Sequence, residues 1–291
     1  MSGKILGLAL LVALTLVWGT SFPAIKIAVP LLGADSYVYL RFAIATLALT
    51  PYAAYRLARS TDNFRASLIP GAALGLIYFT GIWLQGFGME FTTATNAGFI
   101  TSLYIPIVYA IDVLVFKARY GANFIVSAAL SALGLYLLSG GIEGINPGDL
   151  LVLGGAFAWA LHVVAVDRFA GKHHALDLVF IQYLVTSFLG GALANFNLDL
   201  NALVQVFPIM LYLALSCSLL AGVLQVVGQR YTTPSEAALI YTLEPVFAAL
   251  FSYALLGETL SGVKLLGALL ILASVTLASW SITRSSKNNK E

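Results

Sequence analysis

Phe91-Thr92-Thr93-Ala94-Thr95-Asn96-Ala97-Gly98-Phe99-Ile100 is answered, about 140 residues later, by Tyr231-Thr232-Thr233-Pro234-Ser235-Glu236-Ala237-Ala238-Leu239-Ile240. At the same spacing Gln85 and Gly88 meet Gln225 and Gly228. One residue further apart, Trp18 meets Trp159, Phe42 meets Tyr183 and Gly121 meets Gly262. Apolar runs resemble one another by chance. Paired glutamines and tryptophans in a common register point instead to an internal repeat. The chain reads as two halves, 1–142 and 143–284, followed by a flexible tail, 285–291.

Each half is built from apolar runs. Charge-free stretches cover 5–25, 66–89, 91–111, 120–142, 150–166, 178–198, 200–229 and 265–283. A membrane-spanning helix needs roughly 20 mainly apolar residues to cross a hydrocarbon core of about 30 Å. Two further stretches of that length, 36–58 and 234–256, are interrupted by Arg41 and Glu244. The pattern predicts ten helices, near 5–29, 36–58, 67–89, 92–115, 121–141, 149–167, 177–195, 207–229, 234–256 and 262–282. The runs are continuously apolar rather than alternating, which favours helices over a barrel. The first run is longer than a signal-peptide core and lacks a small-residue cleavage site, so it reads as an uncleaved anchor. Five helices per half is an odd number, so the halves must cross in opposite senses. The expected fold is therefore an all-α integral membrane protein of two inverted five-helix repeats, a recurring plan for alternating-access transport.

Composition agrees with the membrane class. Hydrophobic residues make up 60% of the 291 and charged residues only 10%, against about a quarter charged in soluble domains. Glycine is abundant, 26 residues, and supplies flat surfaces for close helix contact in lipid. The single cysteine, Cys217, excludes an intrachain disulfide and a cysteine metal cluster. No basic nucleic-acid face, phosphate loop or nucleophile elbow is present, so neither nucleic acid, cofactor nor metal is expected. With the N-terminus inside, Lys4, Arg56, Arg59, Arg65, Lys117, Arg119, Arg168, Lys172, Arg230, Arg284, Lys287 and Lys290 fall on the inner side, against Lys264 on the outer. That bias predicts both termini in the cytoplasm. Asp35, Glu90, Glu143, Asp149, Asp199 and Glu258 fall outside.

Several blocks carry a family resemblance. They are Leu16-Val17-Trp18-Gly19-Thr20-Ser21-Phe22, Leu40-Arg41-Phe42, Thr95 to Leu103, Ser235-Glu236-Ala237-Ala238-Leu239-Ile240, and Leu243-Glu244-Pro245-Val246-Phe247-Ala248-Ala249-Leu250 with Leu256-Gly257-Glu258. Over roughly 5–282 the sequence resembles the EamA family of the drug/metabolite transporter superfamily. The resemblance implies ten helices, a cavity between the halves, and export of small metabolites, amino acids or related amines among them. The implied setting is the plasma (inner) membrane, multi-pass. The partners it leads us to expect are a small-molecule substrate and membrane lipid, with proton coupling and a homodimer left open. The halves differ where Lys117 stands for Glu258 and Tyr104 for Glu244, so functional roles need not be symmetric.

Candidate substrate-binding residues follow from polarity inside the spans. Glu244 is the strongest. It lies about 15 Å along its helix from Pro234, with no other charge in 237–257, and an uncompensated carboxylate at that depth is costly. It is the coupling candidate, a proton or cation site, with a simple pairing to Arg41 as the alternative. Arg41 lies about 8 Å below the outer end of its helix. It reads either as a structural partner of a carboxylate or of helix-end carbonyls, or as a donor to an anionic substrate group. Trp18, Tyr78, Trp159, Tyr104 and Tyr241, with Trp83, are aromatics inside spans rather than at the interfacial belts. Packing explains each singly; together they can line a cavity. Gln85, Gln225, Asn96 and Ser102 add hydrogen-bond capacity, and helix contacts explain them equally well. His162 reads as a packing residue, and His173 and His174 lie in the basic inner loop without a third zinc ligand. Lys26 reads as a rim anchor or as an attractor of substrate. Gly19, Pro23, Pro106 and Pro245 are candidate helix breaks. A membrane enzyme or assembly factor acting on lipid-linked substrates is the competing reading. It would need a convergent polar cluster in a loop, which the short loops do not offer. A channel would need a filter sequence.

Overall fold

The computed structural model describes residues 3–59, 61–117, 121–138, 146–197, 199–259 and 262–288. Arg119, Glu143, Lys290 and the expected 142/143 boundary lie outside these, as do the side chains of Arg284 and Lys287. The described residues form helices joined by short turns, with no strand among them. They form α1 (Gly3–Leu32), α2 (Ala34–Arg59), α3 (Thr61–Ala66), α4 (Leu68–Gly88), α5 (Ala94–Thr101), α6 (Tyr104–Leu114) and α7 (Ala122–Leu138). There follow α8 (Pro147–Ala170), α9 (Ala175–Leu193), α10 (Leu200–Ala214), a π-turn (Leu215–Leu220), α11 (Ala221–Gln229), α12 (Pro234–Tyr241), α13 (Leu243–Leu256) and α14 (Gly262–Asn288).

Among the described residues, seven helical stretches are long and apolar enough to cross a membrane. They are Gly3–Leu32, Leu68–Gly88, Ala94–Leu114, Pro147–Ala170, Ala175–Leu193, Leu200–Gln229 and Pro234–Leu256. The surface shows what solvent the fold is built for. Leu47, Ile69, Leu114 and Val204 are 70–84% exposed, whereas Arg41 and Glu244 are at most 6% exposed. Apolar side chains face out and charge faces in, which suits hydrocarbon surroundings and not water. The protein is an all-α, multi-span membrane protein.

Several expected helices are corrected. The segment expected at 92–115 is two helices, α5 and α6, and that expected at 234–256 is α12 and α13. Each break sits one turn before a proline. Pro106 and Pro245 lack an N–H and their rings crowd the carbonyl four residues back, which is Ser102 in one case and Tyr241 in the other. Gly19 and Pro23 make no break: α1 continues through both. The helix expected from 207 begins at Leu200, because the Asp199 carboxylate accepts from the Asn201 and Ala202 amides at 2.9 and 3.2 Å and so caps it. Pro208 lies inside that helix and does not start it. The loop at 61–66 holds the short α3.

Packing pairs α1 with α11 and α13, α8 with α4, α5 and α6, α2 with α9, α6 with α12, and α7 with α14. Two glycine contacts set the first of these distances. A Cβ on Gly88 would lie 2.6 Å from the Gly148 carbonyl oxygen, and one on Gly7 would lie 2.9 Å from that of Gly228. Backbone cannot yield as a flexible side chain does. Gly88→Val is therefore expected to cost on the order of 1–3 kcal/mol of stability. Gly171→Ala, whose Cβ meets nothing within 4 Å, should be near neutral. Thermal unfolding of both variants in detergent checks this; equal melting temperatures would mean α4 and α8 do not pack this closely.

Candidate functional site: a cavity at two broken helices

The breaks in α5–α6 and α12–α13 bring two helix starts into the middle of the bundle. Thr93 and Thr233 cap the outer members of each pair by accepting from the amides of Asn96 at 3.1 Å and Glu236 at 3.3 Å. Tyr104 opens α6 and Glu244 lies in the first turn of α13. The expectation placed Glu244 mid-helix; the break places it instead at a helix N-terminus, where unpaired amides favour a negative charge. Tyr104 donates to its Oε2 at 3.4 Å, a long bond.

These residues line a cavity together with Trp18, Ser21, Arg41, Tyr78, Ile82, Gln85, Thr101, Trp159, Val163 and Gln225. About 40 Å³ of it is open to the centres of water molecules. That admits on the order of three waters. Tyr78 and Trp159 meet edge to face at 4.8 Å and form one apolar wall. Gln85 donates to the Thr101 hydroxyl at 3.0 Å. The buried Trp159 Nε1 has no acceptor among the described residues, so its N–H is available to a solute.

Eight of the ten residues proposed from the sequence meet at this cavity. Tyr241 stands behind it: its ring packs on Trp18 at 5.5 Å and on Tyr104 at 6.2 Å, and its hydroxyl donates to Gln229 at 3.2 Å. Asn96 is elsewhere, in the first turn of α5. Five residues, about 140° around α5, separate it from Thr101, which does line the cavity. Ser102 is also spent locally, on the Gly98 carbonyl at 2.8 Å. Ser21, Ile82, Thr101 and Val163 were not anticipated. Ser21 lies one helical turn beyond Trp18, and Ile82 one turn beyond Tyr78, so helical spacing from the aromatics was the signal available.

Arg41 is held by neighbours the sequence did not suggest. Its Nε donates to Ser218 Oγ at 2.7 Å, its Nη2 to the Cys217 carbonyl at 3.1 Å, and its Nη1 to the Tyr37 hydroxyl. Tyr183 donates to the Ser218 carbonyl at 2.6 Å. Both carbonyls belong to the π-turn, whose extra residue opens the regular bonding ladder and frees acceptors. The expected alternative, a pairing of Glu244 with Arg41, does not occur: among the described residues the ion pairs are Lys4–Glu236 at 2.7 Å and Arg56–Asp177 at 2.8 Å. A guanidinium has five N–H donors. Three are used, and two remain on a side chain that lines the cavity.

Other candidates lie outside it. Lys26 donates to the carbonyls of Met89 and Thr92 at 2.7 and 2.6 Å, closing the end of α4. Trp83 donates to Asp35 at 2.5 Å. His162 bonds Gln182 at 2.9 Å and packs edge-on behind Tyr78. Glu258 accepts from the Ala94 and Thr95 amides at 3.1 Å each, holding the start of α5.

The sequence profile of the EamA-like transporter family matches residues 5–140 and again 146–280. A protein of Archaeoglobus fulgidus described as an uncharacterized transporter is 35% identical over 277 residues, covering 94% of this chain and 85% of that protein. The threonine/homoserine exporter RhtA of Escherichia coli K12 is 25% identical over 293 residues, covering 96% and 92%. A protein of known crystal structure, 20% identical, superposes with a TM-score of 0.74 over 97% of this chain and 98% of its own; it shares the fold. The family match spans both halves of the sequence, and on that ground the chain belongs to the EamA-like transporter family of the drug/metabolite transporter superfamily.

Proposed function

We propose that the protein is a proton-coupled exporter of amino acids or related amines, working by alternating access in the cell membrane. The observation that carries this is one cavity holding both Glu244 and Arg41, with no ion pair between them. A carboxylate and a guanidinium in the wall of one cavity match the ammonium and carboxylate of an amino acid. The Trp159 N–H adds a donor for a further polar atom, and the aromatic wall accepts apolar side chains. The name of the Escherichia coli relative agrees with this chemistry.

Alternating access draws on the proposed inverted repeat of ten spans, in which α2, α7 and α14 complete the seven long apolar helices. The repeated register supports it: Gly7 against Gly228 corresponds to Gly148 against Gly88, and Tyr104 faces Glu244 across the 140-residue offset. The double family match supports it too. Both termini then lie in the cytoplasm. Single cysteines introduced into Cys217→Ala should label from outside at Gly33 and Asn197 and from inside at Asp62 and Lys172. An outside signal at Lys172 would remove the inverted arrangement.

Transport itself is tested in proteoliposomes. Counterflow of labelled amino acids, polyamines, nucleosides and nucleotide sugars should favour the first class. Exchange of nucleotide sugars alone would replace the amino-acid reading.

A further inference from the structure

A second cavity, of about 530 Å³, opens where α2 and α3 meet the turn between α8 and α9. It shares no lining residue with the central one. Its ionisable lining comprises Arg56, Lys172, His173, His174, Asp177 and Arg230. Asp177 is already taken: it accepts from Arg56 Nε at 3.1 Å, Arg56 Nη2 at 2.8 Å and the Tyr52 hydroxyl at 2.7 Å. Lys172 and Arg230 have no carboxylate within ion-pair distance among the described residues.

Arg230 is oriented without being neutralised. Its Nε donates to the Ala170 carbonyl at 2.6 Å and its Nη2 to the His173 carbonyl at 2.7 Å. Those acceptors fix the planar group and leave Nη1 for an incoming oxygen, the geometry in which a guanidinium recognises phosphate. His173 and His174 each engage a hydroxyl through Nδ1, from Ser67 at 3.1 Å and Tyr52 at 2.8 Å. Their Nε2 atoms remain as further donors or acceptors.

We infer that this cavity binds the phosphate of an anionic phospholipid headgroup. A soluble phosphate has the same charge, but the surroundings favour lipid. Tyr55 adjoins Arg56 on α2, and Leu68 and Ile69 follow α3 at the start of α4; all three are exposed apolar side chains. A headgroup in the basic cavity would lay its acyl chains along that surface. Basic pockets between membrane helices on the cytoplasmic side hold anionic headgroups by this combination. The inference rests on the topology proposed above only for which leaflet supplies the lipid. Binding in detergent is independent of it, so the two can fail separately.

The full chain in a non-ionic detergent is unfolded thermally with added phosphatidylglycerol, phosphatidylcholine or inorganic phosphate. Phosphatidylglycerol should raise the melting temperature saturably, and the other two should not at the same concentration. Lys172 is exposed in a turn, and its side chain makes no hydrogen bond or ion pair among the described residues, so Lys172→Gln should fold normally. It should weaken the phosphatidylglycerol effect about five-fold, the worth of one lysine near an anionic surface. Lys172→Arg should retain it. Equal stabilisation by phosphatidylcholine would overturn charge recognition. Equal stabilisation by inorganic phosphate would make this a soluble-anion site. An undiminished effect in Lys172→Gln would place the lipid elsewhere.

Discussion

Glu244→Gln in proteoliposomes is expected to retain exchange of bound solute and to lose all accumulation driven by a proton gradient. The amide keeps the shape of the side chain and its hydrogen bond to Tyr104, which lies 3.4 Å away, but cannot gain or lose a proton. Among the described residues no other carboxylate lines the cavity; those of Glu236, Asp177 and Glu258 are engaged elsewhere. The native protein should show exchange that varies with pH, and the variant exchange that does not. A native-like, gradient-driven rate in Glu244→Gln would eliminate coupling through this residue. Because no ion pair ties Glu244 to Arg41, the substitution should leave the melting temperature close to native. A large fall would mean that the carboxylate holds helices together, and would favour a structural role.

Arg41 should behave differently. Arg41→Lys keeps the charge but cannot reach Tyr37, Ser218 and the Cys217 carbonyl from one plane. Bonds to charged groups contribute about 1.5–3 kcal/mol each, so losing one or two should cost stability of that order. If the two remaining N–H donors also meet a substrate carboxylate, affinity for amino acids should fall about ten-fold, equivalent to some 1.4 kcal/mol. Affinity for amines lacking the carboxylate should be unchanged. That split between ligands is a readout a purely structural role would not move. A fall in stability with equal affinity for both classes would leave Arg41 as the clamp of the π-turn alone.

The membrane class and the family were both legible in the chain itself. Hydrophobic runs need no partner to be recognised, because lipid demands that each span satisfy its own backbone. Arg41 and Glu244 stood out for the same reason: a charge in an apolar run is costly wherever its neighbours lie. Pro106 and Pro245 also announced local disturbance, since the clash they make is with their own helix. What the runs did not determine was where those charges sit relative to one another. The pairing of Arg41 with Glu244 was a reasonable expectation from sequence and is absent, because Arg41 finds acceptors 176 and 177 residues away. No local pattern reveals the π-turn at Leu215–Leu220, which is visible only as freed carbonyls with Arg41 and Tyr183 packed against them. Likewise Asn96 and Glu244 were both candidates as polar residues inside spans, Glu244 the stronger. Asn96 sits in the first turn of α5, on another face from the cavity-lining Thr101, while the α12–α13 break sets Glu244 at a helix start in the cavity wall. Sequence determined which residues lipid would force inward; tertiary packing alone decided which of them share a cavity.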